Sequence, residues 1–275
     1  MDMYLTKEQV MKSLTPILMT GIFLFASCSD RKASPQRTGI LDGAPNFRDL
    51  GGYSSANGRR TVWRKVFRSQ MLAQLSDRDV ERLKELGVRT VIDFRDDDEV
   101  MKEPSRLPES VRVVRLPIVV GSNDTFMQKM GDSPDSLQCV DFMQTVNRSL
   151  VTEFAPQYRA FFAILLQAES YPIVFHCTAG KDRTGFAAAL LLSALNVDWD
   201  TVMDDYLLTN QFLKPQSLSE EAIAVARLMW SVQPSYLSAA KEEIITTYGS
   251  IDNYLNREMN VGKAEKERLM QYLLE

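Results

Sequence analysis

A short segment near the middle of the chain carries the residues that could do chemistry. It runs from His176 to Gly185 and reads His-Cys-Thr-Ala-Gly-Lys-Asp-Arg-Thr-Gly. A thiolate at Cys177 can act as a nucleophile, and the guanidinium of Arg183, six positions later, can grip two oxygens of a phosphoryl group. Backbone N–H groups at the start of a helix can cradle an anion and favour thiolate over thiol. The pattern therefore indicates attack by Cys177 on the phosphorus of a bound phosphate ester.

The remaining residues of the segment fit a loop that surrounds a phosphate. Glycine permits backbone conformations that other residues resist, which favours a tight turn at Gly180. The hydroxyl of Thr184 can hydrogen-bond the thiolate and stabilise it as a leaving group. We expect the phosphate-binding groups to come from Thr178, Ala179, Gly180, Lys181 and Thr184.

A strand and a helix must position this loop. An apolar strand is predicted over 172–176 and a helix rich in small residues over 184–195. Alternating strands and helices elsewhere predict an α/β layer structure. Asn57-Gly58 is typical of a hairpin turn. Further helices are predicted over 76–86, 137–150, 153–168 and 198–210, and further strands over 88–94 and 111–120.

Composition excludes several other kinds of site. The chain has 275 residues and a net charge of -4, without a long basic run, so nucleic-acid binding is not expected. The single histidine, His176, excludes zinc sites built on two or three histidines. The three cysteines are too few and too scattered for a disulfide framework.

The first 27 residues are typical of a signal peptide. The apolar run over 17–26 is too short to span a bilayer, and small residues follow it. Leu24-Phe25-Ala26-Ser27-Cys28 resembles a bacterial lipoprotein signal, which predicts lipidation of Cys28 and a membrane anchor on the exported side. A plain secretory signal or a buried helix is the alternative. Residues 1–10 fit a mis-called start, and residues 28–39 a flexible tether.

The segment resembles the signature of cysteine-dependent tyrosine and dual-specificity phosphatases. More narrowly, the chain resembles bacterial tyrosine phosphatases of the secreted mycobacterial and lipoprotein type, and the resemblance covers most of residues 40–275. It is carried by the signature loop, by Asn46-Phe47-Arg48-Asp49-Leu50-Gly51-Gly52-Tyr53, by Arg68-Ser69, by Asp93-Phe94-Arg95 with Glu99 following, and by Asp205-Tyr206-Leu207-Leu208-Thr209-Asn210.

The resemblance implies a fold and a mechanism. The fold is a central, mostly parallel sheet flanked by helices. Cys177 attacks phosphorus, and water then hydrolyses the cysteinyl phosphate without a metal or another cofactor. Asp182 is the implied general acid. Asp93 is the second candidate, with an ion pair to Arg48 or Arg95 as its structural alternative. The resemblance also implies that a further set of residues supports the catalytic groups: His176, Asp93, Arg95, Arg48 and Asp49.

The substrate stays open between a phosphorylated protein and a phosphoinositide or inositol phosphate. Gly180-Lys181-Asp182 is similar to phosphoinositide phosphatases, where a second cation can hold another phosphate, although Lys181 could equally raise the local potential for any phosphoester. Two other classes of protein are alternatives: a rhodanese-like sulfurtransferase, and a catalytically silent phospho-ligand binder on the same fold.

Two further features carry alternative interpretations. Cys139 fits a small buried residue, and a sharper hypothesis pairs it with oxidised Cys177 as protection against irreversible oxidation. The polar stretch 121–136 fits a solvated connection or a lid over the site.

Overall fold

A five-stranded sheet forms the centre of the protein in a computed structural model that describes residues 36–120, 135–213 and 228–275. The strands lie in the order β1-β2-β5-β3-β4. Only the edge pair β1 and β2 is antiparallel, and the other pairs are parallel. The strands are β1 Arg48–Asp49, β2 Val66–Ser69, β3 Thr90–Asp93, β4 Arg112–Arg115 and β5 Ile173–His176.

Nine α-helices lie wholly within the described parts of the chain, and the elements alternate as the sequence predicts. Two short 3-10 helices lie at Ala168–Ser170 and Leu208–Gln211. The α-helices are α1 Asp77–Glu85, α2 Asp97–Lys102, α3 Ser136–Thr152, α4 Ala155–Leu165, α5 Asp182–Ala194, α6 Trp199–Leu207, α7 Pro234–Tyr248, α8 Ile251–Arg257 and α9 Lys263–Leu273.

Both faces of the sheet are covered by apolar side chains. Successive side chains of a strand point to opposite faces. On β3, Ile92 joins the large cluster that includes α5, whereas its neighbour Val91 joins a smaller cluster with Leu83 of α1. Helices on both faces of a mostly parallel sheet confirm the predicted α/β class, and the central strand β5 is buried along its whole length.

The predicted elements are present, with differences at their ends. Ser76 caps α1 as expected, and Gly87 follows with a φ of +67°. The strand predicted over 111–120 was too long, because β4 ends at Arg115 and pairs only with β3. Of the polar stretch 121–136, suggested as a lid or a connection, residues 121–134 lie outside the described residues, as does Cys28, while Asp135 caps α3 and Ser136 begins it. Within the described ranges, no helix has the length and apolar content that crossing a bilayer requires.

Candidate active site

The loop 177–181 lies at the carboxyl end of β5 and leads directly into α5. Cys177 is 2% exposed and follows the last strand residue, His176. The helix begins at Asp182, two residues earlier than predicted, so Arg183 belongs to its first turn. An acidic residue in the first turn of a helix is stabilised by the helix dipole, which favours this earlier start. The first turn of α5 therefore points its positive end towards the loop that holds the cysteine.

Gly180 allows the loop to pack tightly against the end of β2. Its φ is +68°, a left-handed conformation that favours glycine. A Cβ atom at this position would lie 2.4 Å from the carbonyl oxygen of Ser69, which is closer than atoms approach without displacement. Gly180 is thus required by both backbone conformation and space.

Arg183 is held beside the loop by a bidentate ion pair with Glu99. Nη1 lies 2.6 Å from one carboxylate oxygen of Glu99, and Nη2 lies 2.7 Å from the other. Nη1 also donates to the carbonyl of Ile118 at 3.1 Å, and Nη2 approaches the hydroxyl of Thr178 at 3.4 Å. A guanidinium fixed by this many acceptors is pre-oriented, so little further ordering is needed when it grips a phosphate.

Glu99 is charged in this arrangement. Burial alone would raise the pKa of its carboxyl, but the hydrogen bonds and charge of Arg183 lower that pKa to about 2. Thr178 also donates its hydroxyl proton to Glu99. The negative charge of Glu99 in turn offsets the burial of Arg183, whose pKa stays above its usual range.

Asp182 is surrounded by three possible donors. Its Oδ2 forms a 2.5 Å ion pair with Nζ of Lys181. Its Oδ1 lies 3.4 Å from Nδ2 of Asn147 on α3 and 3.5 Å from the hydroxyl of Tyr206 on α6. Burial raises the pKa of Tyr206 well above its usual value, so that this hydroxyl keeps its proton. The carboxylate is therefore oriented by two neighbouring helices as well as by Lys181.

His176 and Asp93 form a buried group behind the loop. Asp93 accepts from Nε and Nη2 of Arg95 at 3.0 and 2.8 Å. This ion pair is the structural alternative considered for Asp93, and at 2% exposure the carboxylate has little access to a substrate. Nδ1 of His176 lies 3.2 Å from the carbonyl oxygen of Cys177 and can donate to it. His176 therefore supports the loop from within the core, and Arg95 holds Asp93 beside His176.

We predict that protonation of His176 destabilises the fold between pH 6.5 and 4. Burial lowers the pKa of His176 from 6.5 to about 4, so in this window the unfolded chain binds the proton and the native state does not. The contribution of neutral His176 to the free energy of unfolding is therefore fully present above pH 6.5. On the order of 3 kcal/mol of it is lost as the pH drops through this window. Urea unfolding at pH 7, 6 and 5 measures the slope. Since the chain has one histidine, His176→Asn should remove most of this pH dependence of the free energy of unfolding. An equal slope in the variant would contradict the assignment of the effect to His176.

Arg48 and Asp49 contact other parts of the protein than the phosphate loop. Asp49 accepts from the backbone N–H groups of Gly51 at 2.7 Å and Arg64 at 2.8 Å, and so fixes the turn after β1. Arg48 is fully buried and pairs with Asp205 on α6. Asp49 therefore stabilises the turn after β1, and Arg48 connects β1 to α6.

Thr184 and Cys139 are both fully buried. The hydroxyl of Thr184 is buried and has no hydrogen-bond partner among the described residues, which leaves it available to a thiolate. Cys139 is a free, fully buried thiol on α3, packed with Phe142 and Tyr236. This confirms its interpretation as a buried residue; its pairing with oxidised Cys177 stays a prediction.

Sequence reasoning missed several residues that act around the loop. The sequence presents Glu99 only as part of a motif, and that motif does not indicate its ion pair with Arg183. Asn46, Arg68 and Asp205 were likewise quoted only within motifs, and Asn147 had no signal at all. Their partners lie from 35 to 157 positions away along the chain, so no local spacing could reveal them.

Comparison with known proteins decides the family. The tyrosine phosphatase family profile matches residues 40–275. The chain belongs to the tyrosine phosphatase family. It is 36% identical over 239 residues to a provisionally named tyrosine-protein phosphatase of Cupriavidus necator, covering 82% of this chain and 85% of that protein. It is 30% identical over 278 residues to the triple specificity protein phosphatase PtpB of Mycobacterium tuberculosis, and this match covers 85% of this chain and 98% of that protein.

The family match supports a tyrosine phosphatase over the other classes of protein that the sequence left open. The match spans the whole segment that carries the loop, Glu99 and Asp205, which sets aside the sulfurtransferase and the silent binder. The solved structure of TpbA from Pseudomonas aeruginosa covers 66% of this chain and 89% of its own, at 17% identity and a TM-score of 0.31.

Proposed function

We propose that this protein is a protein-tyrosine phosphatase that works through a cysteinyl-phosphate intermediate. The observation that carries the proposal is the placement of Cys177 at the amino end of α5, with Arg183 of the same first turn fixed by Glu99. A phosphate monoester carries nearly two negative charges, so a site for it must supply positive potential. The helix end, the loop amides and Arg183 supply that potential.

In the first step, the thiolate of Cys177 forms a bond to phosphorus as the bond from phosphorus to the tyrosyl oxygen breaks. Asp182 transfers a proton to the departing oxygen, so that neutral tyrosine leaves. Lys181 donates to Asp182 at 2.5 Å in the free enzyme. An incoming phosphate competes for the ammonium of Lys181, and loss of that pair leaves Asp182 free to act on the departing oxygen.

In the second step, water attacks phosphorus and the sulfur–phosphorus bond breaks. Asp182, now deprotonated, accepts a proton from that water as it forms the new oxygen–phosphorus bond. Inorganic phosphate and the thiolate are the products. The free hydroxyl of Thr184 can donate to the thiolate as it leaves.

A rapid acid quench of wild-type protein with a phosphotyrosine peptide tests the function. Mass spectrometry should find phosphate on the tryptic peptide that contains Cys177 and on no other peptide. Turnover should continue in excess chelator. Hydrolysis without any phosphate on Cys177 would point to direct attack by water and would overturn the proposal; so would thiosulfate turnover without phosphatase activity.

We predict that Asp182→Asn slows turnover about a hundredfold, and more with poor leaving groups. General acid catalysis typically contributes 10²–10⁴-fold, and the need for it grows as the leaving oxygen becomes more basic. Steady-state rates with para-nitrophenyl phosphate and with phenyl phosphate measure the difference, and the pH–rate profile should lose one limb. Near-normal turnover of phenyl phosphate by the variant would exclude Asp182 as the acid.

We propose that the substrate is phosphotyrosine and not an inositol phosphate. Lys181 is largely buried and already paired with Asp182, which supports a role in the acid step. Comparing Lys181→Ala on a phosphotyrosine peptide and on a phosphoinositide separates the two functions. Equal losses on both substrates fit the acid step, whereas a selective loss on phosphoinositide supports the inositol function.

We also propose that the protein is exported and anchored by lipid at Cys28. The support is the sequence of residues 17–28, with an apolar run followed by small residues and cysteine. Metabolic labelling with a fatty-acid precursor should mark the wild type and not Cys28→Ala. An unlabelled wild type would remove the proposed anchor.

A further inference from the structure

Three consecutive carbonyl groups of the loop accept hydrogen bonds from donors that lie outside the loop. The carbonyl of Thr178 accepts from the backbone N–H of Met71 at 2.9 Å. The carbonyl of Ala179 accepts from Nδ2 of Asn46 at 2.9 Å. The carbonyl of Gly180 accepts from Nη2 of Arg68 at 2.8 Å and from the same amide of Asn46 at 3.3 Å. Three consecutive carbonyls are therefore fixed by groups outside the loop.

These hydrogen bonds determine where the loop's N–H groups point. A trans peptide unit is planar, with its carbonyl and its N–H on opposite sides. Holding the carbonyls of residues 178, 179 and 180 outward therefore directs the N–H groups of Ala179, Gly180 and Lys181 inward. Those are the groups expected to cradle the phosphate oxygens.

The two side chains that hold the carbonyls are themselves linked to one carboxylate. Nη1 of Arg68 lies 2.6 Å from Oδ2 of Asp205 on α6. Nε of Arg48 lies 3.0 Å from Oδ1 of Asp205, and its Nη2 donates to the Asp205 carbonyl at 2.7 Å. Nη1 of Arg48 donates to the side-chain oxygen of Asn46 and so orients the Asn46 amide. Asp205 thus reaches the loop by two routes, one through each arginine.

The linkage is buried and depends on the charge of Asp205. Both arginines and Asp205 are at most 1% exposed, so a single carboxylate offsets two buried guanidinium groups. Tyr53 donates its hydroxyl proton to Asp205 at 2.8 Å. Burial would raise the pKa of Asp205, but Arg48 and Arg68 together hold it below its usual range. Without this carboxylate, the two arginines would repel each other behind the loop.

We infer that Asp205 is a positioning residue for the phosphatase reaction, because it orients the backbone N–H groups of the phosphate loop. It acts by one route through Arg68 and by a second route through Arg48 and Asn46. The inference rests on the proposed function and assigns a specific part of it to α6. It differs from a role in stability alone, because it predicts a loss of affinity for phosphate in protein that remains folded.

Asp205→Asn tests this, with Asp204→Asn as the matched control. Asp204 is the preceding residue of α6 and is exposed, so the control makes the same chemical change outside the linkage. We expect kcat/KM for para-nitrophenyl phosphate to fall about 10- to 100-fold in Asp205→Asn, since small misplacements of catalytic groups have effects of that order. The inhibition constant of inorganic phosphate should rise about tenfold or more at a temperature well below the unfolding midpoint. Asp204→Asn should match the wild type in both.

Asp205→Asn could fail to fold, and Arg68→Lys then decides. A lysine keeps the positive charge opposite Asp205 but cannot also reach the carbonyl of Gly180. A weaker phosphate affinity in folded Arg68→Lys supports the inference, and unchanged affinity overturns it. Unchanged phosphate inhibition in folded Asp205→Asn overturns it as well. If wild-type protein itself lacks phosphatase activity, the proposed function has failed instead.

Discussion

We expect Cys177→Ser to lower turnover of a phosphotyrosine peptide by about 10⁴-fold or more. A serine hydroxyl is a weak nucleophile unless an adjacent base takes its proton, and removing a nucleophile collapses the whole covalent route. The only histidine of the chain is His176, and its Nδ1 faces the carbonyl of residue 177 rather than that side chain. His176 Nδ1 is therefore not positioned to take a proton from the serine.

The same variant should still bind inorganic phosphate. The loop carbonyls stay fixed by Met71, Asn46 and Arg68, and Arg183 stays paired with Glu99, because none of these contacts involves the sulfur atom. Isothermal titration with phosphate measures the binding, and release of phosphate from the peptide measures turnover. A variant that binds phosphate without turning over substrate separates the cradle from the nucleophile.

Cys139→Ser is the matched control. Cys139 is fully buried in a separate cluster with Phe142 and Tyr236, so the substitution costs some stability through an unpaired hydroxyl. It should nevertheless retain near-wild-type turnover below its own unfolding temperature. If Cys139→Ser were inactive and Cys177→Ser active, the nucleophile would have been assigned to the wrong cysteine.

The chemistry of the site could be predicted from sequence because it is local. Cys177, Arg183 and the residues between them lie on one strand, one loop and the first turn of one helix. Their spacing alone places the thiolate and the guanidinium around one anion. The fold class could be predicted for the same reason, since the periodicity of each strand and helix is local information.

The supporting contacts could not be predicted because they join distant parts of the chain. Glu99 reaches Arg183 only because β3 and β5 are neighbours, with Asp93 opposite His176 in the ladder. That register brings α2, which follows β3, beside the start of α5. Asp205 reaches Arg68 only because α6 packs against α5, where a Cβ at Gly185 would lie 2.7 Å from the ring of Tyr206. Tertiary packing, which no single motif contains, decides both contacts.

Arg183→Lys has the second largest expected effect, a loss of about a thousandfold in kcat/KM. An arginine that stabilises charge on a transferring phosphoryl group is typically worth 10³–10⁵-fold. Lysine keeps the positive charge but offers a single point donor in place of a planar fork. It cannot contact both oxygens of Glu99 and also two oxygens of the phosphoryl group. Most of the loss should therefore appear in kcat, because the fork is needed most as charge moves in the transition state.

Glu99→Gln separates the charge of Arg183 from its orientation. Glutamine keeps one oxygen for the guanidinium and leaves the arginine charged, but it removes the second carboxylate acceptor that fixes the fork. We expect a smaller loss, about tenfold, in line with one charge-assisted hydrogen bond. Steady-state kinetics of both variants, with thermal unfolding as a check on folding, gives the comparison. A loss as large in Glu99→Gln as in Arg183→Lys would mean that orientation alone accounts for the role of the arginine. Near-normal kcat in Arg183→Lys would mean that the fork is not needed, and the phosphate clamp would have to be sought in Lys181 and the loop amides.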